Sequence, residues 1–326
     1  MHMNMLFYGF RHAHIFDFFR LAQTDPEVTI LAAIEDDPRA KATAECTLGI
    51  CMESGTYGAW LEDPAVDIVA IGGAYGHRGK AITEALRHGK HVISDKPLCT
   101  DLQELARIRQ LADDQHLQIG CLLDLRYTPA ALRAKALFAS GKLGAVKNIS
   151  FTGQHCIDYA HRPEWYFAPN MHGGTINDIA IHGIDLITFL TGHHIRRVHC
   201  ARTWNCFAYR HPQFHDCATF MVETDGGAGV LADISYSAPS QVFSMPTYWN
   251  FQFWCEKGLA TFCYTGKDVT VYEEGIPEAQ ILPGIPPESN VLADFLQQIR
   301  TGDNRQTQSV LNATETALTI QHAANQ

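Results

Sequence analysis

The chain has 326 residues, of which 46% are hydrophobic and 18% charged, and its formal net charge is −10. That length favours two hydrophobic cores over one, and the negative balance argues against a nucleic-acid or anionic-membrane partner. No apolar run approaches the roughly 18 residues of a membrane span, and the N-terminus "MHMNMLFYGF" lacks the basic segment and long apolar stretch of a secretory signal.

The first third alternates two periods. "MLFYGF" (5–10) is an apolar run ending near Gly9, and "HIFDFFRLAQ" (14–23) has helical spacing. "VTILAAIED" (28–36) is a second, β-branched run, followed by the helical "PRAKATAECTLG" (38–49). "VDIVAIGG" (66–73), "HVISDKP" (91–97) and "LQIGCLLDL" (117–125) read as further strands, with helices "HRGKAITEALRHGK" (77–90) and "DLQELARIRQLADDQ" (101–115) between them. Continuous apolar strands alternating with helices predict βαβ units and a parallel sheet covered on both faces.

After about residue 125 the rhythm changes. A helix is expected over "PAALRAKALFASGKLG" (129–144) and another over "GGTINDIAIHGIDLITFLTG" (173–192). Between and after them lie β-rich runs: 146–156, 195–207, 215–224, 228–237, 248–256, 258–264 and 268–274, joined by turn signals such as "TDGGAG" and "EKG". Helices "NVLADFLQQIRTG" (290–302) and "SVLNATETALTIQHAA" (309–324) close the chain. The expected architecture is α/β. A Rossmann dinucleotide-binding domain over 1–124 precedes an α+β domain over 125–326, which carries a large, mostly antiparallel open sheet for substrate binding and oligomerisation.

The ten cysteines are scattered without a CxxC pair, several of them inside apolar runs. Reduced thiols in a cytoplasmic protein are the expectation. Seventeen histidines are many, but no HExxH and no finger-like Cys/His spacing occurs, so no metal is expected.

The first βα turn of a doubly wound sheet is where a dinucleotide binds, and its GxGxxG fingerprint supplies a tight turn, a close backbone approach and close helix packing. Here the six residues are Gly9-Phe10-Arg11-His12-Ala13-His14, and only the first glycine survives. The helix N-terminus still offers N–H groups to a phosphate, and Arg11 and His12 carry side-chain donors. Glu35 lies near the position of an acid that accepts from the adenosine ribose, with Asp36 and Asp37 adjoining it. A carboxylate there repels a 2′-phosphate, so NAD is expected over NADP, with Arg11 the one residue arguing the other way.

Alcohol oxidation moves a hydride to nicotinamide and a proton to a base that titrates near neutrality, which suits histidine. If 173–192 is one α-helix, Asp178 and His182 share a face, and Asp178 orients the imidazole or binds a substrate hydroxyl. Asp185 follows one turn on and is expected to steady His182. Lys96 ends a strand at the carboxyl edge of the sheet, where its ammonium can hold the reacting oxygen, and Pro97 fixes the turn that aims it. The competing role for Asp178 and His182 is a buried polar pair stapling the helix to a neighbour.

"HVISDKPLCT", its spacing before "RYTPA", and then "RPEWYFAPNMHGGTINDIAIHGIDLITFLTG" together resemble the glucose–fructose oxidoreductase, inositol dehydrogenase and rhizopine-catabolism (Gfo/Idh/MocA) family over most of the chain. The resemblance implies NAD(P)-linked hydride transfer at a secondary hydroxyl of a sugar, polyol or cyclitol-like substrate. It implies Lys96, Asp178 and His182 as catalytic residues. It places the cofactor on Gly9, Phe10, Arg11, His12, Glu35, Asp36, Gly72, Gly73, His77, Asp95, Lys96, Pro97 and Asp124. It implies a homodimer or homotetramer formed through the C-terminal sheet. Arg126, Tyr127, His155, Arg162, Trp165, Tyr166 and Asn177 are the candidate substrate contacts, with aromatic faces for sugar C–H groups and polar groups for hydroxyls. The chain departs from the pattern in its degraded glycine turn, in Asp95 where the family has Glu, and in "GGAYGHRG" after the third strand. Two alternatives remain open: a non-catalytic NAD- or sugar-binding regulator, and an NAD-dependent glycosidase or lyase that oxidises its substrate transiently.

Overall fold

The computed structural model describes residues 2–239 and 248–326. In chain order the elements are β1 (Met3–Tyr8), α1 (Ala13–Thr24), β2 (Val28–Ile34), α2 (Pro38–Leu48), α3 (Tyr57–Leu61), β3 (Ile68–Ile71), α4 (Tyr75–Arg87), β4 (His91–Ser94), α5 (Leu102–Asp114), β5 (Ile119–Cys121) and α6 (Pro129–Ala139). Then come β6 (Val146–Gln154), α7 (Ile181–Thr191), β7 (Ile195–Trp204), β8 (Cys217–Thr224), β9 (Gly229–Ser235), β10 (Asn250–Cys255), β11 (Gly258–Cys263), β12 (Val269–Glu273), β13 (Gln280–Leu282), α8 (Val291–Thr301) and α9 (Arg305–Ala324).

Two compact units result. The first comprises Met1–Leu123, Ala168–Gly173 and Asn290–Glu315; the second comprises Asp124–Phe167, Gly174–Ser289 and Thr316–Gln326. A single cut after residue 124 therefore misses two returning segments. The reason is visible in α8: Leu292, Phe295 and Leu296 are buried in one cluster with Met5, Phe7 and Ile93. Gln298 donates to Gln118 and Thr307, whose hydroxyl takes the Ile119 N–H. The amphipathic pattern of 290–302 showed an apolar face but not which sheet it would cover.

The first unit is built on a five-stranded sheet in the order β2-β1-β3-β4-β5, with every pairing parallel. All four residues of β3 are buried, as a strand covered on both faces requires. Helix starts follow side-chain capping: Asp37 accepts from Ala40 N–H, and Asp101 from Gln103 and Glu104 N–H.

The second unit holds an eight-stranded sheet in the order β13-β12-β11-β10-β6-β9-β8-β7. Its pairings are antiparallel except β6 with β9, which run parallel. Strand β13, at the sheet edge, has three residues, too few for alternation to show in the sequence. One face buries Ile149, Phe151, Phe220, Val230, Phe251, Phe253, Phe262 and Val271. Helix α7 lies close on it because position 183 is glycine: a Cβ there would collide with the Phe151 ring. On the other face Met221, Leu231, Trp254, Tyr272 and Ile281 are exposed. All ten cysteines are free, and among the described residues no helix is long and apolar enough to cross a membrane.

Phe295→Ala should lower the urea midpoint of unfolding by the equivalent of about 3–5 kcal/mol, the usual cost of emptying an aromatic core position. A loss below about 1 kcal/mol would mean that α8 does not help close the first core.

Candidate active site

Each unit holds a group of ionisable side chains of its own. In the first unit, Gly9 turns the chain out of β1 at φ +80. A Cβ on Gly9 would stand 2.6 Å from Gly73 N, and one on Gly72 would stand 2.6 Å from Gly9 O. The turns after β1 and β3 thus touch backbone to backbone, and Arg11 N–H donates to Gly72 O at 2.9 Å. Beside them lies a cavity of about 400 Å³ at the carboxyl ends of β1, β2 and β3, lined by Tyr8, Gly9, Arg11, the 35–38 turn, Gly73, Ala74, His77 and Arg78 among others. A Cβ on Gly73 would meet nothing within 4 Å. The size and place of this open cradle fit the adenosine half of a dinucleotide.

Glu35 does not serve the cavity in the expected way. Its side chain is 2% exposed. One carboxylate oxygen accepts from Phe10 N–H at 2.7 Å. The other accepts from Asp37 N–H and from the Arg11 guanidinium, both at 2.9 Å. Its bonds staple two turns together, and they leave Asp36 as the exposed acid, with the Tyr8 hydroxyl donating to it at 2.7 Å. Phe10 is a core residue, 3% exposed, so only its backbone belongs to the turn.

Asp95 is fully buried and organises the rest of this half. It accepts from His12 Nδ1 at 2.8 Å, His14 Nδ1 at 3.0 Å, Arg78 Nη2 at 3.2 Å and Lys96 N–H at 2.7 Å. Burial opposes ionisation of Asp95, but the imidazoles and the Arg78 guanidinium hold its carboxyl well below the usual range. Burial prevails at His12 and lowers it to about 4, against the pull of Asp95. Arg78 also donates to Gly73 O at 2.7 Å and to the carbonyls of Lys96 and Pro97; the Lys96–Pro97 peptide is cis. The Lys96 ammonium sits 5.8 Å from the centre of the Tyr75 ring. Among the described residues, His12, His14 and Asp95 form the one group that could surround a metal ion. Their contacts have hydrogen-bond lengths, and Arg78 already supplies the cation.

Arg78 was not foreseen. Its signal was present: Tyr75, Arg78, Ile82 and Ala85 lie at helical spacing on one stripe, and all four are buried. A charge on that stripe must find partners inside.

In the second unit, residues Ile176–Ala180 form a π-helical turn that precedes α7. This replaces the i, i+4 geometry assumed for Asp178 and His182. Asp178 is 2% exposed and accepts from the hydroxyls of Tyr166, at 2.5 Å, and Tyr236; the two hydroxyls lie 2.7 Å apart. Burial, with Asp178 adding to it, raises the Tyr166 phenol. The Tyr166 hydroxyl, on a residue expected to contact substrate, is thus bonded to Asp178 within the second unit. Arg162 stacks on Tyr166 at 4.4 Å and donates to Cys156 O and Ile157 O.

His182, 5% exposed, has its Nδ1 3.7 Å from Asp124, and its ring is 5.7 Å from Trp249. Asp124, expected as a cofactor contact, is thus the carboxylate beside the imidazole. Asp185, expected in that role, instead receives a two-pronged pair from Arg126, with Nε at 2.6 Å. Arg126, a candidate substrate contact, is thus held against the buried Asp185. His155 stands beside the rings of Tyr236, Tyr248 and Trp249. Asn177 is fully buried, and Trp165 packs on Tyr166 at 5.3 Å. Tyr127 lies three residues into the second unit, just ahead of α6.

A parallel sheet with a glycine cradle at its carboxyl edge defines a nucleotide-binding α/β protein. Residues 10–121 match the family model described as an oxidoreductase family with an NAD-binding Rossmann fold, and residues 131–261 match the GFO/IDH/MocA C-terminal domain. The chain belongs to the Gfo/Idh/MocA family of oxidoreductases. Levoglucosan dehydrogenase of Pseudarthrobacter phenanthrenivorans is 27% identical over 163 residues, 48% of this chain and 41% of that one. D-xylose 1-dehydrogenase (NADP(+)) 2 of Haloferax volcanii is 27% identical over 216 residues, 64% of this chain and 61% of that one. These alignments span less than two thirds of either relative. A levoglucosan dehydrogenase solved with NADH and levoglucosan shares the fold, with a TM-score of 0.83 at 18% identity over 100% of this chain and 98% of that one.

Arg126→Met should destabilise the protein by about 3–5 kcal/mol, because it strands a buried Asp185 carboxylate. Adding Asp185→Leu should recover most of that loss in thermal unfolding. A single variant as stable as the parent would contradict the structural role given to the pair.

Proposed function

We propose that this protein is an NAD-dependent dehydrogenase acting on a secondary hydroxyl of a sugar, polyol or cyclitol-like substrate. The observation that carries the proposal is the glycine-walled cavity at the ends of β1, β2 and β3, within a chain of this family. NAD supplies a hydride acceptor when bound. The Lys96 ammonium holds the reacting oxygen, and His182 takes the hydroxyl proton as the C–H hydride leaves, so the alcohol becomes a carbonyl. Asp124 beside His182 favours the imidazolium that forms. Asp178 orients its surroundings through Tyr166 and Tyr236. NAD is favoured over NADP because Asp36 and Asp37 add negative charge at the cavity, while the Arg11 guanidinium is engaged by Glu35.

Titration with NAD and NADP, then a panel of polyols and sugars read by nicotinamide absorbance, tests this reading. Lys96→Met and His182→Ala should each lower kcat/KM by about 10²–10⁴-fold while leaving NAD affinity nearly unchanged. Normal turnover in either variant would remove the role given to that residue. Tightly held, non-exchanging NAD without net reduction would instead support transient oxidation within a lyase or glycosidase cycle.

The uncovered sheet face supports self-association. Ile281 is 67% exposed, and Leu231 and Tyr272 are 50% exposed; such a row of apolar groups is costly in water. Trp254→Glu should shift the protein toward monomer in sedimentation equilibrium. A monomeric parent would end the proposal of a sheet-face oligomer.

A further inference from the structure

We infer that charges on the large sheet fix how two copies of this chain meet: the pairing axis runs along the strands, and β7 of one copy lies over β12 and β13 of the other. The inference rests on the sheet-face association proposed above and goes beyond it by assigning the orientation.

The strand registers arrange the outward side chains of the second unit in three rows. The middle row runs from Cys200 on β7 through Leu231 on β9 and Gln252 on β10 to Ile281 on β13. On one side of it a row runs from Arg197 through Trp254 to Tyr272. On the other side a row runs from Arg202 through Asp233 to Cys263, and the β11–β12 register carries it on to Asp268.

The charge on this sheet is polarised from edge to edge. Residues 186–215, which contain β7, hold four arginines, five histidines and no Asp or Glu. Residues 268–289, which contain β12 and β13, hold Asp268, Glu273, Glu274, Glu278 and Glu288 and no Lys, Arg or His. Arg197, Arg202, Asp268 and Glu278 are all exposed. Glu223, next to Arg197 in its row, is engaged by His199 at 3.0 Å.

Addition of a further strand at the β7 edge is opposed. Two register shifts bulge this strand, and bulges and cations both discourage strand pairing. The face is what remains. Only a pairing centred on the sheet, covering all eight strands over roughly 38 Å, approaches the roughly 800 Å² per partner of a stable interface.

Packed sheets keep their strands roughly aligned, and a two-fold axis in the interface plane meets that condition in two ways. An axis across the strands lays each strand on its own copy and exchanges the two outer rows. Arg197 then opposes Arg202 of the second copy, twice, and Cys200 opposes Cys200. An axis along the strands, between β10 and β6, keeps the rows and exchanges the edges. Arg202 then stands beside Asp268 of the second copy, Arg197 close to Glu278, and Cys200 over Ile281. Asp233 faces Gly229 in the first arrangement and Cys263 in the second, so it does not choose between them. Like charges set face to face oppose association and opposite charges favour it, which selects the axis along the strands.

Cys200 makes the two arrangements separable in solution. A short bismaleimide joins thiols across the roughly 10 Å between packed sheets. With the axis along the strands, the two Cys200 thiols of a dimer lie roughly 34 Å apart and stay unlinked in the parent protein. Ile281→Cys should then give a covalent dimer whose joined peptides carry positions 200 and 281, and adding Cys200→Ser should abolish it. Sedimentation equilibrium of the full chain supplies a second readout. Arg197→Glu with Arg202→Glu should raise the dimer dissociation constant about tenfold or more, and adding Asp268→Arg with Glu278→Arg should restore it. All four positions are exposed, so circular dichroism should match the parent. A Cys200–Cys200 link in the parent would overturn the inference. So would a dimer in which Ile281→Cys adds no link to Cys200, or in which the charge reversals leave association unchanged. A monomeric parent would remove the sheet-face reading and this orientation together.

Discussion

The buried pair of Arg78 and Asp95 is the constraint around which the first unit is arranged. Both side chains are at 0% exposure. Taking two such charges out of water costs several kcal/mol each, and mutual attraction alone seldom repays it. Here the remaining capacity of both groups is spent on backbone and imidazole. Asp95 gathers the turn after β1 through His12 and His14, and the end of β4 through Lys96 N–H. Arg78 gathers the loop after β3 through Gly73 O and returns to the Lys96 and Pro97 carbonyls. Three loops at one edge of the sheet share a single electrostatic knot, so the backbone of Lys96 is fixed by the same bonds that shape the nucleotide turn.

Saturation separates scaffold from chemistry in both units. Glu35 spends both carboxylate oxygens within its own turns. Asp216, fully buried, accepts from the N–H groups of Cys206, Phe207 and Ala208, each at 2.7 Å. Asp185 is taken by Arg126. A carboxylate with its lone pairs filled by fixed donors orders a loop and has little left for a ligand. Asp124 differs: its side chain is 52% exposed and lies 3.7 Å from His182 Nδ1. That looser contact leaves room for the carboxylate to respond when the imidazole gains charge.

Much of this was legible in the sequence, and the failures have physical causes. The βαβ rhythm was readable because fully buried parallel strands must be apolar throughout, as "VDIVAIGG" is. Motif spacing singled out Lys96 and His182 only as candidates, and the proposed mechanism rests on them. The fate of Glu35 was not, since three consecutive acids have identical local chemistry and only the path of the turn decides which one folds inward. The Asp178–His182 relation was misjudged because one π-helical turn changes the angular step without altering the hydrophobic pattern. Tyr236 lies 58 residues from the Asp178 carboxylate it meets, and no local pattern reports a contact of that span. Helix α8 showed its apolar face, but a hydrophobic stripe carries no address.

The degraded fingerprint is better described as a redistribution of glycine functions. A GxGxxG turn asks for a tight bend, a close backbone approach, and close packing of helix on strand. Gly9 keeps the bend at φ +80. The open backbone is moved across to Gly73, where a side chain would meet nothing within 4 Å. Close packing is moved to Gly72: a Cβ there would lie 2.5 Å from Ile15 Cγ1 and 2.6 Å from Gly9 O. The glycine that lets α1 approach the sheet thus sits on the loop after β3 rather than on the helix itself. Position 14, relieved of that steric demand, can carry an imidazole, and the buried Asp95 carboxylate gives that imidazole a fixed direction. The loss of two glycines from one loop and the presence of two in its neighbour are therefore one structural solution, and a motif search confined to a single loop would miss it.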